Sequence, residues 1–143
     1  MIIDISKWKK FRFGDLIEEK NIYKSHAYSR DEMDIIEFYE KNSIPFVSRT
    51  EINNSVDCYV DRNGLEHIEK GNALVIGDTT ATISYQKDEF VTGDHIVIIR
   101  AEWLNEYTGL FICTLLKMEK YRYSYGRAYI INSIKDTQSY LPV

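Results

Sequence analysis

The stretch EKGNALVIGDTTATISYQKDEFVTGDHIVII, residues 69–99, decides the fold class. Its apolar runs are short, rich in Val and Ile, and bounded by Gly, Asn or Asp, a composition that is typical of strands separated by turns. These runs are Ala73–Ile76, Ala81–Gln86, Phe90–Val91 and Ile96–Arg100. The sequence therefore predicts that the centre of the chain is a strand-rich sheet.

Two further strands are predicted before this stretch, at Ile44–Val47 and Val56–Val60. A polar segment at 48–55 joins them, and the tetrapeptide DRNG at 61–64 has the composition of a turn. Nearer the N-terminus, segment 8–19 alternates aromatic and basic residues before a glycine. It predicts a short strand that turns into the start of a helix, with Asp15 as a possible N-cap.

Helices are predicted in three places. Segment 29–42 has Ser29 as a cap with Glu32 three residues later, and it offers an apolar helical face. That face consists of Met33, Ile36 and Tyr39, or alternatively of Ile35, Phe38 and Tyr39. Asn105–Lys120 has apolar residues at helical spacing and predicts a long, mostly core-facing amphipathic helix.

A second short helix is predicted at Ile130–Thr137, followed by an extended end at Tyr140–Val143. A strand-rich centre followed by helices indicates an α+β fold rather than alternating parallel α/β units. We expect one mixed domain over residues 1–143, with an antiparallel or mixed central sheet and the long amphipathic helix near the C-terminus. No helical spacer is expected within it.

Composition limits the possible functions. The chain has 143 residues, 44% hydrophobic and 28% charged, which suits a soluble globular domain. Its formal net charge is −4 with a pI near 5.4, whereas nonspecific DNA-binding domains are usually basic. Either nucleic acid is not the partner, or positive charge is concentrated on one face, or a partner subunit supplies it. No apolar run is long enough for a membrane span, so we expect a cytoplasmic protein without a membrane partner.

The sequence contains no motif of an enzyme or of a metal site. His26, His67 and His95 lack ligand spacing with one another, and Cys58 and Cys113 lie far apart. Both cysteines have the features of small buried residues in a reducing compartment. Glycine-rich phosphate loops, a nucleophile elbow and a nuclease carboxylate motif are all missing from the sequence. We therefore expect no catalysis and no bound cofactor.

Three segments have the side chains of a nucleic-acid contact. KMEKYRYSYGR at 117–127 alternates basic residues, which pair with phosphates, and tyrosines, which stack on bases or sugars. SRTEINNS at 48–55 contains Arg, Asn and Thr, which bind base edges. GDTTATISYQ at 77–86 is a glycine-led hairpin with hydroxyl groups. Each segment has an ordinary alternative, namely core packing with a solvated rim, a polar loop, and a solvated hairpin. A smaller basic group, Lys7 to Arg12, is an alternative phosphate or partner contact.

Taken in order, the segments resemble the target recognition domain of DNA specificity (S) subunits in type I and related restriction–modification systems. The resemblance covers nearly the whole chain. It is carried by WKKFRFGDLIEE (8–19), IPFVSRTEINNSVDCYV (44–60), the stretch 69–99, GLFICTLLKMEKYRYSYGRA (109–128) and IKDTQSYLPV (134–143).

The resemblance implies a non-catalytic domain that recognises one half of a bipartite double-stranded DNA site. A methyltransferase (M) subunit would bind S-adenosylmethionine and flip the target adenine, and a restriction (R) subunit would cut. The positions carried over as DNA-facing lie in the 48–55 loop, the 77–86 hairpin and the 117–127 segment, and Arg49, Asn53 and Asn54 are the base-reading candidates among them. They are Arg49, Thr50, Asn53 and Asn54; Thr79, Thr80 and Tyr85; and Lys120, Arg122, Tyr123, Ser124, Tyr125 and Arg127. The alternatives are a module of the same fold that docks on the methyltransferase without DNA specificity, and a nuclease domain with a noncontiguous carboxylate site.

Overall fold

The computed structural model describes residues 6–37, 39–78, 82–119 and 131–141. Within these ranges the chain forms ten strands in three sheets and two α-helices. The strands are β1 (Lys9–Arg12), β2 (Ile22–Lys24), β3 (Ile35–Ile36), β4 (Ser43–Val47), β5 (Val56–Asp61), β6 (Ala73–Gly77), β7 (Thr82–Gln86), β8 (Val91–Thr92), β9 (Ile96–Ile99) and β10 (Gln138–Leu141). The helices are α1 (Glu106–Glu119) and α2 (Ile131–Asp136).

The first sheet has the strand order β2-β9-β6-β7, and all its neighbours are antiparallel. Leu74 and Ile76 of β6 point to one face and pack with Ile112 and Leu116 of α1. Val75 points to the opposite face, where a second buried cluster lies. Because both faces are covered, the strands are continuous apolar runs rather than alternating ones.

The second sheet has the order β3-β5-β4-β8 and is mixed, because β4 and β8 run parallel while the other pairs are antiparallel. Ile44 and Phe46 of β4 pack with Val60 and Val91 in its core. Val47, the last residue of β4, belongs instead to the buried cluster on the first sheet. The two sheets therefore meet at the end of β4, where the polar segment 48–55 begins.

A third, two-stranded sheet pairs β1 with β10 and brings the two ends of the described chain together. Phe13 follows β1 in a 3-10 turn, and its backbone N–H donates to the Thr137 carbonyl oxygen at 2.7 Å. Arg12 is ion-paired with Asp136 at 2.9 Å and with Asp15 at 3.2 Å. The predicted N-cap at Asp15 is wrong, because Arg12 occupies that position and Asp15 lies inside the turn.

The central strands, the long helix and the α+β class are confirmed, but the predicted helix at 29–42 is wrong. Ser29 does accept a hydrogen bond from the Asp31 backbone N–H, yet only one 3-10 turn follows, and Met33 is already extended with φ −126°. Ile35 and Ile36 instead form β3 and pair with β5. Pairing with an available sheet edge outweighs the local helical pattern.

Candidate nucleic-acid interface

The polar turn, residues 48–55, connects β4 and β5 and closes with a hydrogen bond from the Ser48 N–H to the Ser55 carbonyl oxygen at 2.9 Å. Asn53, Asn54 and Ser55 have φ values of 54°, 55° and 64°, three consecutive left-handed residues. Asparagine tolerates this conformation better than most residues. The two asparagines therefore account for the shape of the turn, and they leave Asn53 exposed.

Hydrogen bonds in both directions attach the polar turn to β7 of the first sheet. Asn54 Nδ2 donates to the Tyr85 carbonyl oxygen at 3.0 Å, and Gln86 Nε2 donates to the Asn54 carbonyl oxygen at 2.8 Å. The Gln86 side chain is buried and is held in place by Ser84 Oγ at 3.0 Å. Asn54, expected to contact a base, is therefore an anchor of the turn as well.

Arg49 is at the other side of the polar turn, next to the turn between β8 and β9. Its guanidinium Nη2 lies 3.9 Å from Asp94 Oδ1, and the Gly93 N–H donates to the Val47 carbonyl oxygen at 3.1 Å. Thr50 Oγ1 accepts a hydrogen bond from the Ile52 N–H at 3.4 Å. The structure thus brings the first residues of the polar turn against Gly93 and Asp94.

An open groove of about 940 Å³ runs beside Arg49, between the polar turn and the segment around Tyr28. A second ion pair spans it, from Arg30 Nη1 to Asp57 Oδ2 at 3.5 Å. Each arginine of the groove therefore faces a carboxylate at long range. Such exposed pairs are weak, so a phosphate or a base can compete for the guanidinium.

The end of the first sheet next to Asp94 carries a cluster that the sequence analysis missed. The Asp78 N–H donates to the His95 carbonyl oxygen at 2.9 Å, and the Asp78 carboxylate faces His95 and Lys24. Asp78 directly follows β6 and His95 directly precedes β9, and only the pairing of β6 with β9 shows that the two residues are neighbours.

Tyr85 is a correction to the predicted site. Its side chain is only 6% exposed, its hydroxyl donates to Asn72 Oδ1 at 2.6 Å, and Gly109 of α1 lies against its ring. Burial raises the pKa of the Tyr85 phenol above its ordinary value, with smaller effects from Glu106 and Asp88. Tyr85 is therefore a core residue, packed between β7 and α1.

The remaining predicted positions lie outside the described residues. They are Thr79, Thr80, Lys120, Arg122, Tyr123, Ser124, Tyr125 and Arg127. Within the part of the chain that is described, no group of three or more His, Cys, Asp or Glu side chains could hold a metal ion. No helix there is long and apolar enough to span a membrane.

The model of one protein family, the type I restriction modification DNA specificity domain, matches residues 5–138. The chain belongs to this family. Type I specificity domains recognise a DNA target sequence and are not catalytic. The predicted family and the predicted absence of enzyme activity are therefore confirmed.

Three solved structures have a similar fold. The HsdS subunit from Thermoanaerobacter tengcongensis aligns with TM-score 0.61 and 11% identity, over 99% of this chain and 34% of that chain. The S subunit from M. genitalium aligns with TM-score 0.61 and 11% identity, over 95% and 34%. A structure from work on complex assembly and conformational transition of the type I R-M system aligns with TM-score 0.61 and 14% identity, over 96% of this chain and 34% of that chain. No curated protein matches the chain.

At these identities the structural likeness shows the fold, namely that of a specificity-subunit recognition domain. The chain spans about a third of the length of each of these subunits.

Proposed function

We propose that this specificity domain, over residues 1–143, recognises one half of a bipartite double-stranded DNA target for a restriction–modification complex. The observation that carries the proposal is the polar turn at 48–55. It projects Arg49 and Asn53 from the domain while Asn54 and Gln86 fasten it to the first sheet. A rigid loop with exposed base-reading side chains discriminates between sequences, because little conformational entropy is lost on binding.

In this proposal Arg49 and Asn53 bind base edges in the major groove, where arginine matches guanine and asparagine matches adenine. Thr50, Thr79 and Thr80 are further base or sugar contacts. The phosphate and sugar contacts come from the segment 117–127. Its proposed contact residues are Lys120, Arg122, Tyr123, Ser124, Tyr125 and Arg127. The phosphate contacts fix the position of the domain, and the base contacts supply the specificity.

The acidic net charge of −4 favours action within a complex rather than alone. We propose that a methyltransferase subunit, which binds S-adenosylmethionine, and a restriction subunit supply the remaining contacts with DNA and all the chemistry. Membership of the type I family and the similarity to a structure studied for complex assembly support these partners.

A second candidate function is docking on the methyltransferase subunit without independent DNA specificity. The observation that favours it is on α1, where Tyr107, Leu110 and Met118 are large apolar side chains that remain exposed. Contiguous exposed apolar residues are typical of protein contacts. The two functions differ in whether the domain selects a DNA sequence.

A selection from random duplexes, with the chain and its methyltransferase subunit at low and moderate salt, distinguishes the two functions. Recognition predicts that a short motif is enriched at both salt concentrations, since base contacts are less sensitive to salt than phosphate contacts. A stable protein complex that enriches no motif would contradict recognition and leave docking.

A further inference from the structure

The carboxylate of Asp78 is buried at the end of β6. Its side chain is 4% exposed, and Oδ1 accepts no hydrogen bond within the described part of the chain. A buried carboxylate is costly unless cations or donors compensate for the lost hydration. The compensation here comes from two longer interactions, with residues on β2 and in the turn before β9.

Lys24 Nζ lies 3.8 Å from Asp78 Oδ2, and His95 Nδ1 lies 3.5 Å from Asp78 Oδ1. Both distances exceed those of good hydrogen bonds, so the carboxylate orients these groups without using up their donors. The Lys24 side chain is 65% exposed and the His95 side chain 49% exposed. The exposed Lys24 ammonium and His95 imidazole therefore lie next to the buried Asp78 carboxylate.

Asp78 also sits directly before Thr79 and Thr80, and β6 and β7 come together at Gly77 and Thr82. The cluster is thus at the base of the hairpin that the proposed function assigns to DNA. A DNA phosphate carries acceptor oxygens that lysine and histidine donors bind. A buried carboxylate that orients these donors makes the contact specific in position.

We propose that Lys24 and His95, positioned by Asp78, bind one phosphate group of the DNA backbone. The inference rests on the proposed function, because the phosphate belongs to the DNA that the domain recognises. Asp78 does not touch the phosphate and is a positioning residue.

The charged groups that the described residues bring to His95 are Asp78, Lys24 and, within its own turn, Asp94, which is paired with Arg49. Lys24 supplies the positive charge of the contact, and His95 supplies an imidazole nitrogen to the phosphate oxygens.

The substitution His95→Asn removes the imidazole without straining the backbone. His95 has φ 60°, a left-handed conformation that asparagine also adopts. Lys24→Gln removes the ammonium from an exposed position on β2. His67→Asn is the matched control, because His67 is also exposed and its ring stacks on His26 at 3.9 Å.

The test measures the dissociation constant of the chain for a mixed-sequence duplex between about 50 and 200 mM salt. Lys24→Gln removes one charge that pairs with a phosphate, so we expect its log–log salt dependence to be shallower than that of wild type by about 0.9. Asp78→Asn leaves Lys24 without its orienting partner, so its salt dependence should become shallower as well. His95→Asn weakens binding by about fivefold across the salt range, which is the loss of one hydrogen bond, and His67→Asn changes neither quantity.

A wild-type affinity of His95→Asn together with a wild-type salt dependence of Lys24→Gln would overturn this inference alone if the random-duplex selection still enriched a motif. Absence of any binding to duplex at the lowest salt would overturn both the inference and the proposed function.

Discussion

Asn54 joins the two large sheets, because its Nδ2 atom donates a hydrogen bond to the carbonyl oxygen of Tyr85 at 3.0 Å. Asn54 belongs to the turn between β4 and β5, whereas Tyr85 lies in the core of the first sheet on the edge strand β7. This bond attaches the polar turn to the backbone of a buried residue. Its exposed residues are therefore presented in a fixed orientation.

Asn54→Ala is predicted to destabilise the protein by about 2 kcal/mol. The substitution removes one hydrogen bond, worth about 1 kcal/mol, and puts alanine into a left-handed conformation that costs about 1 kcal/mol more. Asn54→Gly loses only the hydrogen bond, since glycine adopts positive φ without strain. Urea unfolding measures both variants, and equal stabilities of Asn54→Ala and wild type would contradict the anchoring role.

Gly109→Ala is predicted to destabilise the protein although alanine favours helices by about 1 kcal/mol over glycine. A Cβ atom at Gly109 would collide with the ring of Tyr85. The hydroxyl of Tyr85 donates a hydrogen bond to Asn72, which holds the ring in place. We expect a net loss of about 1–3 kcal/mol from overpacking. Thermal or urea unfolding checks the loss. An unchanged or increased stability would mean that α1 and β7 are not in contact as described.

Alkaline pH is predicted to weaken the fold through Cys113. Burial raises the pKa of its thiol to about 12, whereas the thiol of an unfolded chain ionises near pH 9. The folded state thus holds its proton longer, so the free energy of unfolding is unaffected below pH 9 and falls from there to about pH 12. Each such group contributes at most about 1.4 kcal/mol per pH unit.

Unfolding by urea at several alkaline pH values compares Cys113→Ala with wild type. The variant should lose stability less steeply above pH 9, while Cys58→Ala, at a partly exposed position, changes the slope less. Identical slopes for all three proteins would contradict the burial of Cys113. The raised pKa values of Tyr23 and Tyr85 leave some pH dependence in every variant.

Asp94→Asn is predicted to increase the affinity for DNA of unrelated sequence by about two- to fivefold at low salt. The variant loses an attraction between two charges near the protein surface, which is about 1 kcal/mol. The carboxylate of Asp94 faces Arg49 at 3.9 Å and competes with DNA for it. Glu89→Gln is the matched control, because Glu89 pairs with Arg62 at the opposite end of β4 and β5. Equal affinities of both variants would rule out this competition.

Much of the fold could be predicted because its strands are bounded by strong turn residues. Ile96–Ile99 and Ala73–Gly77 are continuous apolar runs between such turns, and they form the buried centre of the first sheet. The long helix, Glu106–Glu119, follows from apolar residues at helical spacing. These features are local, so the sequence reports them directly.

The helix predicted at 29–42 failed because its competitor is not local. Ile35 and Ile36 pair with Val60 and Tyr59 of β5, more than twenty residues away. The hydrophobic pattern within segment 29–42 does not indicate this strand pairing. The burial of Tyr85 was not predicted for a similar reason. Asn72, which accepts its hydroxyl hydrogen bond, and Gly109, which lies against its ring, belong to other parts of the chain.

The candidate site was predicted only in part for the same reason. The composition of 48–55 identified Arg49, Thr50 and Asn53 as possible contacts, and the structure presents them in one turn. The anchoring role of Asn54 and the cluster of Lys24, Asp78 and His95 arise from strand pairing and register. Such groups are assembled by the tertiary fold, so side-chain chemistry alone does not locate them.

The most direct test of sequence recognition compares Arg49→Ala with Arg62→Ala. The two arginines are equally exposed, at 37%, and each pairs with a carboxylate, but Arg62 lies at the far end of the β4–β5 hairpin. The measurement is the ratio of affinities for the selected duplex and for a duplex with its motif scrambled. We expect Arg49→Ala to lower this ratio by about tenfold or more, since one bidentate base contact contributes about 1–3 kcal/mol, and Arg62→Ala to leave it unchanged. An unchanged ratio in Arg49→Ala, or an equal loss in both variants, would contradict recognition by the polar turn.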